Sequence, residues 1–181
     1  MDPIGIRYSP HDLLMPKFHS RTHPRWKSYD YTRSGVYFVT TIIHDRRPIL
    51  GIATQRGIVL TSAGRIVDQC WRMVSDQFKG VVIDQFVVMP DHVHAIVVLL
   101  STPDRTLNLS DVIGWTKGRA AREISAQPSP PAGPIWQRSF HDRIVRNAEA
   151  LARIRNYVAA NPARAWNEAR ALRPRRIGGP A

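Results

Sequence analysis

The residues most able to do chemistry in this chain lie in Pro90-Asp91-His92-Val93-His94, which runs directly into Ala95-Ile96-Val97-Val98-Leu99. Side chains alternate between the two faces of a β-strand, so His92 and His94 project from the same face. Two imidazoles placed side by side can share a metal ion. Beside such apolar neighbours each ring also needs a partner to offset its lost solvation. The alternative for an H-x-H by itself is a pair of separately hydrogen-bonded histidines. A three-histidine alternation of the kind used by some nucleotide hydrolases is excluded, because the next position on that face is Ile96.

A second constellation is Asn156-Tyr157-Val158-Ala159-Ala160-Asn161-Pro162. On a helix Tyr157 and Asn161 stand one turn apart on one face, so a hydroxyl and an amide oxygen point the same way. The alternative is structural, since Leu151, Ile154 and Val158 form an apolar stripe and Tyr157 lies at its edge. The two constellations gain meaning together. A tyrosine, with an ordinary pKa of about 10, is a poor nucleophile at neutral pH unless a cation polarises its target or its own oxygen. His92, His94 and an oxygen from Asn161 could hold such a cation, Mg²⁺ or Mn²⁺, which would neutralise charge on a pentacoordinate phosphorus. Imidazole ligands favour Mn²⁺ over Mg²⁺ in affinity.

The elements that must position these groups follow from periodicity. Val36 to Ile43 is rich in β-branched and aromatic residues and reads as a first strand. Arg56-Gly57 reads as a turn between two short strands, and Ser62 as the cap of a helix over Ala63–Gln77 with Ile66, Val67, Cys70, Trp71 and Val74 inward. Val81–Met89 and His92–Leu100 are apolar strands joined tightly through Pro90-Asp91. A second helix is expected over Ser110–Ala126, then a proline-rich linker over 128–134 and a short strand within Trp136–Val145. Asn147 would cap a third helix ending at Ala160, because Pro162 disfavours continuation. The order β, β, α, β, β, α, β, α fits an antiparallel sheet with helices on one face, an α+β architecture. Residues 1–34 read as an N-terminal arm, 35–166 as the domain and 167–181 as a basic tail that could extend as a helix to Pro174.

The chain has 181 residues, enough for one ordinary domain, and carries 26 Lys and Arg against 14 Asp and Glu, a formal net charge of +12. Such a surface attracts polyanions, and the dispersed basic clusters suit phosphate tracking better than a single localisation block. Arg46, Arg47, Lys117, Arg119, Arg122, Arg138, Arg143 and Arg146 are candidate phosphate contacts. Tyr37 and Trp136 are candidate stacking surfaces for bases, whereas Trp115 reads as core. The single Cys70 can form no internal disulfide and reads as an inert core thiol. No apolar run is long enough for a membrane span or signal core, so a cytoplasmic, nucleoid-associated protein without membrane contact is expected.

Here a family resemblance becomes specific. Tyr37-Phe38-Val39-Thr40, Phe86-Val87-Val88-Met89-Pro90-Asp91-His92-Val93-His94, Trp136-Gln137-Arg138, Arg146-Asn147 and Ile154-Arg155-Asn156-Tyr157 leading into Asn161-Pro162 resemble the REP-associated tyrosine transposases, in the same order. The resemblance covers about Tyr29 to Trp166. It implies a ferredoxin-like HUH endonuclease fold, with His92 and His94 as the HUH pair, Asn161 as third metal ligand and Tyr157 as nucleophile. It further implies a 5′-phosphotyrosine intermediate, and single-stranded DNA carrying hairpin-forming repetitive extragenic palindromes as partner. The family's Gly-Thr-Trp-Phe element appears here as Gly35-Val36-Tyr37-Phe38. Two rival readings are a non-catalytic binder of DNA hairpins and a replication-initiator or relaxase-type nickase. Either a monomer or a homodimer is compatible with the sequence.

Overall fold

The computed structural model describes residues 34–100 and 108–171. The arm expected over 1–34 therefore lies outside the described residues except at its last position, as does the tail beyond Ala171.

The elements are β1 (Gly35–Ile42), β2 (Gly51–Thr54), β3 (Gly57–Leu60), α1 (Ser62–Arg72), α2 (Val74–Gln77), β4 (Val81–Val88), β5 (His92–Leu99), α3 (Leu109–Ser125), β6 (His141–Val145) and α4 (Ala148–Ala171). The main sheet has strand order β4-β5-β1-β6, and its three pairings are all antiparallel. Setting aside the β2–β3 hairpin, the β1-α1-β4-β5-α3-β6 path through that order is the ferredoxin-like arrangement. To it the chain adds the hairpin after β1 and the long α4 at its end.

The sheet's two faces do different things, and the register shows which residues share each. Tyr37, Val39, Val93, Ala95, Val97 and Leu99 point to one side, where α1 and α3 bury them together with Val67, Cys70, Trp71, Val112, Ile113 and Ile124. Each fully buried aliphatic side chain contributes roughly 1.5–3 kcal/mol. Phe38, Thr40, His94 and Ile96 point to the other side, and α4 lies there. The helix layer expected on one face is thus α1 and α3 alone; α4 crosses the opposite one.

Several boundaries differ from expectation for local reasons. Thr61 rather than Ser62 caps α1, because its Oγ1 accepts from Gly64 N at 3.1 Å while donating to Ile49 O at 2.6 Å. Asn108 caps α3 two residues earlier than Ser110 would. Asn147 caps α4 as read, its Oδ1 accepting from Ala150 N at 2.7 Å. That helix does not stop at Ala160: it passes through Pro162 and continues to Ala171, across the boundary expected at Trp166. Proline in a helix interior costs about 3 kcal/mol. Contacts of α4 with β2, β3, β4 and β5, and the Arg155–Asp84 ion pair to β4 with Nε at 2.8 Å, hold the helix in place across that defect.

Packing is tight at the entry to α1. A Cβ added to Gly64 would stand 1.9 Å from the Leu50 carbonyl oxygen and 2.9 Å from its carbon, so backbone itself would have to move. Gly64→Ala is expected to destabilise by at least about 1–3 kcal/mol, the usual range for overpacking, read as a lowered midpoint of thermal unfolding. An unchanged midpoint would show that the helix entry yields freely.

Candidate active site

The turn joining β4 to β5 is anchored at both sides. Leu50 N donates to Pro90 O at 2.9 Å and Ile43 N donates to Asp91 O at 2.8 Å. The fixed turn delivers Asp91 and His92 to the mouth of a cleft of about 290 Å³ whose walls include Thr40, Arg46, His92, His94, Tyr157, Asn161 and Arg164. All four residues expected to carry the chemistry, from β5 and α4, therefore line one cleft although 63 positions separate His94 from Tyr157.

Within it the two histidines present nitrogens to each other. His92 Nε2 and His94 Nε2 are 3.1 Å apart. His92 Nδ1 lies 2.6 Å from Asp91 Oδ1, and a carboxylate can only accept, so that nitrogen carries a proton. His94 Nδ1 lies 2.8 Å from Thr40 Oγ1. With the Nδ1 proton donated to Thr40, the Nε2 of His94 keeps its lone pair for the cleft. His94 is buried, and burial, aided by the charges of His92 and Arg46, pushes its pKa down to about 3. At neutral pH it is unprotonated. Burial alone would raise the Asp91 carboxyl, but the hydrogen bonds and charges of His92 and Arg46 outweigh it and hold the group below the usual carboxylate range.

Arg46 reaches Asp91 Oδ2 at 3.0 Å, so one carboxylate ties together the arginine and His92. The turn that allows this places Asp45 and Arg46 at φ 55° and 50°, a left-handed conformation that costs side-chain-bearing residues energy and persists where the surroundings enforce it.

Tyr157 approaches from α4. Its hydroxyl is 3.4 Å from His94 Nε2, and its ring meets His94 and Phe38 at centroid distances of 5.3 and 6.0 Å. Asn161, one turn further, is buried and donates from Nδ2 to Tyr157 O at 3.2 Å, which leaves Oδ1 as its uncommitted acceptor.

The other expected contacts divide. Tyr37 is a correction: it is fully buried in the core between the sheet and α1/α3, so no base can stack on it. Its neighbour Phe38 has the opposite parity and stacks on His94 with centroids 5.2 Å apart. Trp136 is half-buried and donates its indole N–H to Lys117 O at 3.0 Å. Lys117 is committed too, donating to Gln137 O and Ser139 O at 2.7 and 3.0 Å, with burial pulling its pKa down to about 8. Arg47 clamps the proline-rich segment through Ala132 O and Pro134 O. Arg119 pairs with Glu123 at 2.8 Å. Arg119 and Arg122 belong to α3, across the sheet from the cleft. Arg138, Arg143 and Arg146 are exposed within and beside β6, and Arg143 is in register with Phe38, on the cleft's face of the sheet.

Lys117→Met is expected to lower stability by about 1–3 kcal/mol through loss of two charge-assisted bonds, without altering the salt dependence of DNA binding. A flatter salt dependence with unchanged stability would assign Lys117 to phosphate instead.

Sequence reasoning passed over Thr40, Phe38 and Arg164. The signal for Thr40 and Phe38 was the alternation of β1, which required knowing its register against β5. Arg164 was hidden by the expectation that Pro162 ends the helix.

The IS200-like transposase family matches residues 49–161, well over half of the chain and including His92, His94, Tyr157 and Asn161. The chain belongs to that family. As a transposase family member it has relatives in Haemophilus influenzae. One, an uncharacterized protein, is 28% identical over 160 residues, covering 80% of this chain and 89% of the relative. Another, a candidate REP-associated tyrosine transposase, is 23% identical over 142 residues, covering 74% and 73%. Among solved structures, a REP-associated tyrosine transposase bound to a REP hairpin superposes on this transposase with a TM-score of 0.59 at 21% identity, covering 88% of this chain and 93% of that one. That likeness establishes the shared α+β fold. Among the described residues of the transposase no helix is long and apolar enough to cross a membrane.

Proposed function

We propose that this IS200-like transposase nicks and rejoins single-stranded DNA carrying hairpin-forming repetitive extragenic palindromes, through a covalent 5′-phosphotyrosine on Tyr157. The observation that carries this reading is the convergence of the Tyr157 hydroxyl on His94 Nε2 at 3.4 Å, beside a second imidazole and an uncommitted amide oxygen. The hairpin substrate is suggested by the REP hairpin bound to the structural relative and by the motifs shared with that group.

The donor set suits a divalent cation. Two imidazole nitrogens converge at 3.1 Å, and both rings are oriented by partners on their far nitrogens, as ligands to a shared cation would be. The amide oxygen of Asn161 lines the same cleft and would serve as the third protein ligand. His92, His94 and Asn161 would hold Mg²⁺ or Mn²⁺, which when bound supplies Lewis-acid polarisation of the scissile phosphate.

The chain's own residues do the rest. Phe38 and His94 pack against the Tyr157 ring and fix its oxygen at the cleft. That oxygen attacks phosphorus and forms a new O–P bond while the bond to the 3′-oxygen breaks. The 3′-oxygen leaves with the bonding electrons and takes up a proton, and the phenol gives one up. The products are a phosphotyrosine on the 5′ side and a free 3′-hydroxyl, whose attack in reverse rejoins strands. Arg138, Arg143 and Arg146 would track the DNA along β6.

The experiment is incubation with labelled single-stranded hairpin oligonucleotides from the host genome, with Mg²⁺ or Mn²⁺, followed by denaturing electrophoresis. A metal-dependent protein–DNA adduct is the expected result. Cleavage without an adduct would point to water as nucleophile, and tight binding without cleavage to a silent hairpin binder.

A further inference from the structure

Arg164 stands apart from the family's assigned chemistry, since it falls beyond the matched span of 49–161. On α4 it follows Tyr157 by seven residues and Asn161 by three, which places all three on one face. Its guanidinium carbon lies 5.5 Å from the centre of the Tyr157 ring, and the side chain lines the same cleft as His92 and His94. The nearby cation Arg46 is committed to Asp91. Arg164 forms no ion pair among the described residues, although Glu168, one turn on, also lines the cleft. A guanidinium exposed to solvent over the Tyr157 ring, with its N–H donors not engaged by a carboxylate among the described residues, is free to take a phosphate.

We propose that Arg164 binds a non-bridging oxygen of the scissile phosphodiester and holds the phosphate against Tyr157. The inference rests on the reading of Tyr157 as nucleophile. The guanidinium lies over the ring, and its N–H groups would meet negative charge that grows on the phosphate oxygens as the new O–P bond forms. Such a contact strengthens toward the transition state and acts on the rate of adduct formation more than on substrate affinity.

Two measurements test it. The first needs no chemistry: in a Tyr157→Phe background, binding of a fluorescent hairpin oligonucleotide with a single-stranded flank across the cleavage junction is titrated over a series of salt concentrations. Arg164→Met, which keeps an unbranched stem over the ring, is expected to reduce the slope of log K against log salt by about 0.7, the value for one phosphate on a single strand. An unchanged slope overturns the proposal.

The second uses the protein with Tyr157 intact. Arg164→Met is expected to slow adduct formation on the order of 10²-fold, with partial rescue by Arg164→Lys. The penalty should shrink to a few-fold on a strand carrying an uncharged methylphosphonate at the junction. An equal penalty on both strands would mean that Arg164 only supports the helix, and overturns the proposal. If the parent protein forms no adduct while the salt slope still falls, the nucleophile reading fails and the phosphate contact stands.

Discussion

Tyr157→Phe is expected to yield a folded protein that binds its DNA hairpin as well as the parent does and forms no covalent adduct. The phenylalanine ring keeps the packing against Phe38 and His94 and the stack beneath Arg164. Among the described residues the hydrogen-bond contact removed is the hydroxyl's at 3.4 Å to His94 Nε2, too long to contribute more than about 0.5 kcal/mol. Stability and binding should therefore barely move. Adduct formation, in contrast, should fall by at least about 10³-fold, as when a nucleophile is deleted elsewhere, because among the described residues the cleft walls hold no second side chain suited to replace it. Thr40 is the one other hydroxyl there, and it is buried behind His94, engaged with its Nδ1. Denaturing electrophoresis of the labelled complex reads the outcome, and an adduct of undiminished yield would remove Tyr157 from the mechanism.

The second large effect belongs to His94. It is the hub of the cleft, in contact with Thr40, His92, Phe38 and Tyr157 at once, and burial keeps it an unprotonated base. In the proposed metal site, His94→Ala removes one of the two converging nitrogens and would leave Asn161 and His92 too few to retain a divalent cation. Mn²⁺ affinity, measured by titration calorimetry, is expected to fall by at least about 10²-fold, and metal-supported adduct formation with it. Thermal unfolding monitored in parallel separates this from collapse of the fold. Mn²⁺ binding equal to that of the parent would show that the imidazole pair is not the metal site. A contrast with Tyr157→Phe is built in, since that variant should bind Mn²⁺ normally while forming no adduct.

The two faces of the sheet explain why Tyr37 and Phe38, adjacent in sequence, have separate fates. The Gly35-Val36-Tyr37-Phe38 segment reads plainly as a strand, but a strand's alternation assigns its residues to two sets without saying which set faces the ligand. Pairing of Thr40 with His94 resolves this: even-numbered positions of β1 join the cleft and odd-numbered ones the core. The same limit applies to the basic residues. Charge alone cannot distinguish Arg143, exposed on the cleft's face, from Lys117, whose ammonium is drawn onto two backbone carbonyls.

Local chemistry made the pairings within the candidate site legible in advance. The period of a strand put His92 and His94 on one face, and the period of a helix did the same for Tyr157 and Asn161, because both follow from backbone geometry repeated at every residue. Turn and cap residues marked most element ends to within a few positions for the same reason. Only the tertiary structure decided that these two pairs share one cleft, that α4 crosses the face opposite α1 and α3, and that it continues past Pro162 to bring Arg164 over the Tyr157 ring. Those outcomes depend on register and on packing between segments far apart in the chain, where many weak contacts summed across the fold outweigh the preference of any one residue.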